Sequence, residues 1–193
     1  MANARFSIAP AYYTGSEVTP EVTVTHSGKT LVKDRDFTVT YHNNIEPSSY
    51  YNSPWVGIDG IGNYQGYVTK SFTINRADIS SCTVTLSDES LTYTGSSLRP
   101  TVTVKSGDKE LTLNQDYYVS YRNNWDAGTA SVIVNGSGNY TGSVTKDFQI
   151  VPADISNYEV TLYNDSFDYD GTAKEQRYVR LYSGTRWLSE DTD

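Results

Sequence analysis

Along most of the chain, apolar and polar residues alternate with a period of two. Val102 and Val104 sit between Thr101, Thr103 and Lys105, and Tyr117, Val119 and Tyr121 alternate with Tyr118 and Ser120. Val132 with Val134, and Val144 with Phe148 and Ile150, continue the pattern. Alternation of this kind predicts half-buried strands, because successive side chains of a strand point to opposite faces of the sheet. Thr, Val and Tyr dominate these segments, no window keeps a helical apolar stripe, and Gly, Asn, Asp or Pro recurs between them. That is the punctuation of short strands joined by turns.

The pattern also repeats over a longer distance. Residues 13–44 (YTGSEVTPEVTVTHSGKTLVKDRDFTVTYHNN) lie eighty positions ahead of 93–124 (YTGSSLRPTVTVKSGDKELTLNQDYYVSYRNN), and GIGNYQGYVTKSFTINRADIS at 60–80 matches GSGNYTGSVTKDFQIVPADIS at 136–156 with an offset of seventy-six. The difference of four is an insertion near Pro47 to Tyr50. A third copy begins at ADIS, 153–156, continues through VTLYNDSFDYDG (160–171) and YSGTRWL (182–188), and reaches Asp193, the counterpart of Asp36 and Asp116. The organisation expected is therefore module 1 over 1–76, module 2 over 77–152 and an incomplete module 3 over 153–193. The joining segments NRADIS and VPADIS are short and not Gly-rich, so they are expected to restrict the orientation of neighbouring modules.

About seven strands in ~80 residues is the count of an immunoglobulin-like β-sandwich, without the Cys and Trp signature of antibody domains. The fold class predicted is all-β, as tandem Ig-like β-sandwich modules arranged as a rod. The order YTG, Pro with VTV, a Gly-containing hairpin and Leu, D-Y-x-V-x-Y, NN, GTA with alternating valines, GNYTG and a closing TKxFxI resembles bacterial Ig-like tandem repeats of the MBG-like, GNYTG type. Such repeats occur in cell-surface or secreted proteins of Gram-positive gut bacteria. Module 2 is similar over its whole length, whereas module 1 departs where SPWVGIDG replaces GTASVIVNG. The resemblance implies a non-enzymatic extracellular stalk or spacer, whose partners are neighbouring modules of the same polypeptide.

Composition narrows the alternatives. The 193 residues carry 15 Lys plus Arg against 23 Asp plus Glu, a net charge of -8 with no basic block, which argues against nucleic acid. No window of eighteen apolar residues exists, so no membrane insertion is expected. MANARFSIAP lacks a long apolar stretch and does not read as a secretory signal; an exported protein would carry that signal outside these residues. The single Cys82 leaves no disulfide and no Cys-based zinc site, and it reads as a small buried or edge hydrophobe. There is no Gly-x-Ser-x-Gly elbow, phosphate-binding loop or His-Glu-x-x-His, so neither an active site nor a cofactor is expected.

Several residues invite chemistry. Asp36 and Asp116 precede equivalent strands, and Asn43-Asn44 recurs as Asn123-Asn124. Calcium would need six to eight oxygens and a loop these residues do not form, so turn chemistry is the preferred reading. The junction acids Asp78 and Asp154 are single oxygen donors and a weak calcium signal. Lys70 and Lys146 share the parity of Val68 with Phe72 and of Val144 with Phe148, which places both on the inward face. Other Gram-positive Ig-like modules join such a Lys to an Asn. Here the partners would be Asn123 or Asn124 with Asp116 as the acid, and Asn43 or Asn44 with Asp36. The expectation is no cross-link, with each stem covering apolar surface and the ammonium reaching water.

Seventeen Tyr and three Trp raise a glycan-binding alternative. Trp55, Trp125 and Trp187 occupy non-equivalent places in the repeat. Tyr13, Tyr93 and Tyr169, like Tyr41 and Tyr121, recur where Tyr serves as a core residue with a bonded hydroxyl. Trp125, with Tyr118 and Asp126, remains as a surface candidate for a protein or glycan ligand. Residues 157–193, half a sandwich with inward Val179 and Leu181 and the aromatic pair Phe167 and Tyr169, leave an apolar face and strand edges uncovered, so this segment should be the least independent, either associating through an edge strand or being the most mobile.

Overall fold

The computed structural model describes residues 4–175, 178–184 and 186–188. The chain is all-β. Over the first sequence repeat the strands are β1 (Ala4–Ile8), β2 (Ala11–Tyr12), β3 (Val22–His26), β4 (Lys29–Thr30), β5 (Phe37–His42), β6 (Trp55–Gly60), β7 (Tyr67–Ser71) and β8 (Ile74–Asn75). β9 (Ala77–Asp78) and a 3-10 turn (Ile79–Ser81) form the connection. The second repeat holds β10 (Thr83–Leu86), β11 (Ser90–Thr92), β12 (Val102–Ser106), β13 (Lys109–Glu110), β14 (Tyr117–Arg122), β15 (Gly128–Gly136), β16 (Tyr140–Thr141) and β17 (Ser143–Val151). β18 (Glu159–Leu162) and β19 (Val179–Tyr182) follow.

Two three-stranded sheets, β1-β3-β4 and β5-β6-β7, share one core in the first repeat. Val22, Val24, Leu31, Phe37, Val56 and Ile58 are buried there, with Phe6, Ile8, Val39, Tyr41, Val68 and Phe72 packed around them. β5 pairs antiparallel with β6 so that Val39 meets Ile58 and Tyr41 meets Val56. The orders β10-β12-β13 and β14-β15-β17 recur in the second repeat. The parallel pairing of β2 with β8 likewise recurs as β11 with β17, which runs unbroken where the first copy has two strands. Where the first repeat departs in sequence, Val56 and Ile58 still stand at the places of Val132 and Val134, and all four are fully buried. Packing divides the chain into two compact units. One holds the described residues up to Thr85 with Val102–Ser120 and Ile133–Lys146; the other holds Leu86–Thr101, Tyr121–Val132 and the described residues from Asp147 on.

The recurring Asp and Asn do the same work in each repeat. An Asp36 carboxylate oxygen accepts the Val32 N–H at 2.9 Å, and Asp116 accepts that of Thr112 at 2.9 Å. Asn43 and Asn123 adopt left-handed backbone, φ 55 and 53, which Asn tolerates better than most residues. The next residue then turns inward. Asn44 Nδ2 donates to the Val18 carbonyl at 3.1 Å while Val18 N–H donates to the Asn44 carbonyl, and Asn124 repeats both bonds with Leu98. Tyr41 and Tyr121 donate their hydroxyls to the carbonyls of Pro20 (2.6 Å) and Pro100 (2.8 Å). Each buried polar group is thereby paired, which removes the cost of its desolvation.

Strand parity alone does not fix burial. Inward parity in paired strands would bury Val22 with Val102, Val39 with Val119 and Phe72 with Phe148, yet of these Val22 and Phe148 are buried while Val102, Val39, Val119 and Phe72 are half-buried. Lys70 and Lys146 share the inward parity of their strands but are exposed. The register sets Lys70 opposite the buried Val56, but β7 is the edge of its sheet, so the side chain leaves over the rim with its ammonium 5.5 Å from the centre of the Phe6 ring. In the third repeat β18 and β19 form a two-stranded sheet of their own. Phe167, Tyr169 and Val179 are exposed and Leu181 is half-buried, because among the described residues no second sheet covers that face.

The Arg35 guanidinium and then the Val32 N–H hold the Asp36 carboxyl at about 2, below its ordinary 3.8. A carboxyl depressed on folding stabilises fully above its unfolded value and loses that contribution as pH falls through the folded one. The melting temperatures of the native chain and Asp36→Asn should therefore differ most above pH 4 and converge between pH 4 and 2. A gap constant from pH 6 to 2 would refute this role for Asp36.

Candidate functional site: the joint between repeats

A cluster of polar and aromatic side chains lies where the first repeat meets the second, inside the first compact unit. The connection forms a strand with the second repeat: β9 pairs parallel with β16, Ala77 beside Tyr140 and Asp78 beside Thr141, and the Ala77 N–H donates to the Asn139 carbonyl at 3.0 Å. The chain then turns at once. Asp78 caps the 3-10 turn by accepting the Ser80 N–H on Oδ1 at 2.9 Å, a bond that holds its carboxyl below the usual range, and Ser81 Oγ donates back to the Asp78 carbonyl at 2.7 Å. Ile79, inside the turn, is fully buried. Gly142 makes this approach feasible: its φ is +77, and a Cβ there would lie 2.7 Å from Asp78 Oδ1.

Side chains from both repeats close over this strand pair. Tyr140, 2% exposed, meets Tyr13 edge-on with ring centres 5.7 Å apart, an arrangement worth about 0.5–1.5 kcal/mol beyond its buried area. Burial raises the Tyr140 phenol, and Tyr13 beside it raises the ammonium of Lys109. A Cβ on Gly15 would lie 3.8 Å from Lys109 Nζ, so the Tyr-Thr-Gly turn is where the lysine head arrives. On the other flank Asn139 Nδ2 donates to Glu46 Oε2 at 2.7 Å. The arrangement combines a cap, a cation, an acid–amide bond and an aromatic pair. Cys82, just past the turn, is half-buried, and burial pushes its thiol up, away from the reactive thiolate.

The second compact unit contains the corresponding parts one repeat later. Arg186 stands at the place of Lys109, and its guanidinium lies 5.8 Å from the ring centre of Tyr93, the counterpart of Tyr13. A Cβ on Gly95, the counterpart of Gly15, would run into that guanidinium. Asp154 accepts the Ser156 N–H at 2.9 Å, as Asp78 accepts that of Ser80. Tyr93, Asp126, Ile155, Tyr158, Leu181 and Arg186 line a cavity of about 570 Å³ here.

The structure distributes the sequence candidates accordingly. Asp126 occupies the place of Glu46 and lines this cavity, and its neighbour Trp125 is 59% exposed. Tyr118, 51% exposed, belongs to the other compact unit. Asn124 and Asp116 are buried in the turn bonds described above, while Asn123 and Lys146 are exposed. Trp55 stacks on His42 at 3.9 Å, and Trp187 bridges to Tyr182. Among the described residues no three His, Cys, Asp or Glu side chains are grouped to hold a metal, and no helix is long and apolar enough to cross a membrane. The joint itself was missed by reading the repeats one at a time. Its signal is the recurrence of Tyr-x-Gly, of a cation at 29, 109 and 186, and of Gly-Asn-Tyr, which acquires meaning only across successive repeats. Comparison with protein families, curated proteins and solved structures finds no match to the chain.

Gly142→Ala and Gly107→Ala separate the joint from local strain. Both glycines have positive φ, which costs a non-glycine residue about 1–2 kcal/mol, but nothing lies within 4 Å of a Cβ at Gly107. In urea denaturation Gly142→Ala should lose about 1 kcal/mol more than Gly107→Ala, the cost of moving the Asp78 cap. Equal losses would mean that the joint does not confine Gly142.

Proposed function

We propose that the chain is a non-enzymatic structural spacer, built of tandem Ig-like β-sandwich modules arranged as a rod, that presents other domains away from a bacterial cell surface. One observation carries the reading: a cation from one repeat reaches the Tyr-x-Gly tyrosine of the repeat before it at two successive joints, Lys109 at Tyr13 and Arg186 at Tyr93. Residues spent on fixing successive modules serve reach and orientation. In such an array each module contacts only its neighbours, and the number of modules sets the length. The similarity in motif to repeats of Gram-positive surface or secreted proteins supports an extracellular location.

A second reading, an adhesin or glycan-binding module, is favoured by the insertion of the first repeat. Tyr50 and Tyr51 are 93% and 94% exposed. They stand on a loop braced by Asn52, whose Nδ2 donates to the Glu46 carbonyl at 2.8 Å and whose N–H donates to Ser49 Oγ at 3.1 Å. Rigidly held tyrosines offer contact area at low entropic cost.

Small-angle X-ray scattering tests the spacer. The maximum dimension should be that of an extended particle, and Tyr140→Ala should broaden and shorten the distance distribution by loosening the joint; a compact particle unaffected by the substitution would overturn the proposal. Retention on insoluble polysaccharides, lost in the Tyr50→Ala/Tyr51→Ala double variant while scattering is unchanged, would instead establish the binding module.

A further inference from the structure

The second repeat receives the first through a surface made of Lys109, Asn139, Tyr140 and Gly142. The first repeat carries the same surface at its own entry end: Lys29, Asn63, Tyr64 and Gly66 stand at those places in the repeat. The backbone there is folded in the same way, bond for bond. Gly60 N–H donates to the Gly66 carbonyl at 3.0 Å, as Gly136 does to Gly142 at 2.9 Å. Ile61 N–H donates to the Asp36 carbonyl at 3.0 Å, as Ser137 does to Asp116 at 2.8 Å. Tyr64 N–H closes its turn on Ile61 at 3.1 Å, as Tyr140 closes on Ser137 at 2.9 Å. Gly62 and Gly138, φ +64 and +58, approach the Arg35 and Gln115 carbonyls equally closely, at 3.0 and 2.9 Å from a would-be Cβ. Lys29 bears on Asp36 electrostatically, as Lys109 does on Asp116.

What differs is the cover. Tyr140 is sealed by Tyr13 and by the paired β9, whereas Tyr64 is half-exposed, Lys29 and Asn63 are exposed, and among the described residues no strand runs alongside Tyr64. We infer that this end of the first repeat is a receiving face for the exit end of another repeat of the same type, an inference that rests on the spacer reading of the joint. The chemistry of that partner follows from the exit ends within the chain: a Tyr-x-Gly tyrosine to meet Lys29 and pack on Tyr64, an Ala-Asp-Ile-Ser connection to pair beside Tyr64 with its capping Asp set against Gly66, and an acid at the place of Glu46 and Asp126 to accept from Asn63. The site carries one local change. His26 replaces Ser106 and meets the Tyr64 ring edge-on at 5.9 Å, so the incoming tyrosine packs on an imidazole–phenol pair instead of a single phenol.

The test is a chain in which a copy of residues 77–156 precedes the full 193, compared with the chain itself by hydroxyl-radical footprinting, which reads side-chain exposure. In the chain itself Tyr64 should oxidise about tenfold faster than Tyr140, and in the extended chain Tyr64 should slow to the rate Tyr140 shows in the unextended chain, as expected when a locally open surface is closed by a docked segment. Tyr64 oxidising equally fast in both chains, with Tyr140 slow in the unextended chain, overturns the receiving face and leaves the spacer standing. Tyr140 oxidising as fast as Tyr64 in the unextended chain overturns the joint and with it the spacer. The fold of the added copy is read by hydrogen exchange of its 128–136 strand; where that strand is unprotected, a longer extension, residues 1–156, is read by the same criteria.

Discussion

The turn at Tyr140 is completed by backbone of the connection that leads out of the first repeat, and this short strand constrains everything around it. Two residues of parallel pairing provide little energy by themselves, and a strand edge left open would be a site for unwanted pairing. The contact therefore persists only if the connection leaves immediately and in a defined direction. Asp78 secures the departure by capping the 3-10 turn on Ser80, Ile79 buries itself inside that turn, and Gly142 yields the space the capping carboxylate needs. Each contribution is of order 1 kcal/mol. Together with the Tyr13–Tyr140 pair and the Glu46–Asn139 bond, they act on a short segment that has little remaining freedom to lose.

Interior and ends of a repeat are consequently built by different chemistry. The interior is apolar and follows strand parity, with the few buried polar groups, Asp36, Asn44, Asp116 and Asn124, each engaged with backbone. The ends are polar and aromatic, and at the joint some of their groups meet across it, Tyr13 with Tyr140 and Glu46 with Asn139. This separation lets surface residues vary so long as a repeat keeps its own core and its ends. The insertion that raises Tyr50 and Tyr51 into solvent illustrates the tolerance: it lengthens the loop after Asn44 without disturbing the β5–β6–β7 register.

Lys70 shows the limit of parity as a guide. Its Cβ does lie on the inward side, opposite Val56, yet the side chain ends in water because its strand is the last in the sheet and a four-carbon stem reaches past the rim. Parity assigns a face; it does not say how far from the edge that face is covered. The third repeat makes the same point, since β18 and β19 alternate correctly but have no opposing sheet among the described residues, and Tyr169 is 93% exposed where Tyr13 is buried.

By itself the sequence determined that the protein is all-β, where most strands lie, that two long segments share one plan, and that Asp36, Asn43, Asn44 and their counterparts shape turns. These are local matters, set by alternation, by the left-handed tolerance of Asn and by the hydrogen-bonding reach of short polar side chains. Tertiary structure alone decided that Tyr13, Glu46 and Asp78 meet Lys109, Asn139, Tyr140 and Gly142. Those residues are separated by roughly sixty to a hundred and thirty positions in sequence, and no local propensity links them. Their meeting depends on the direction in which one folded repeat hands the chain to the next, a property of the strand pair and its cap that no alternation of hydrophobic and polar residues encodes.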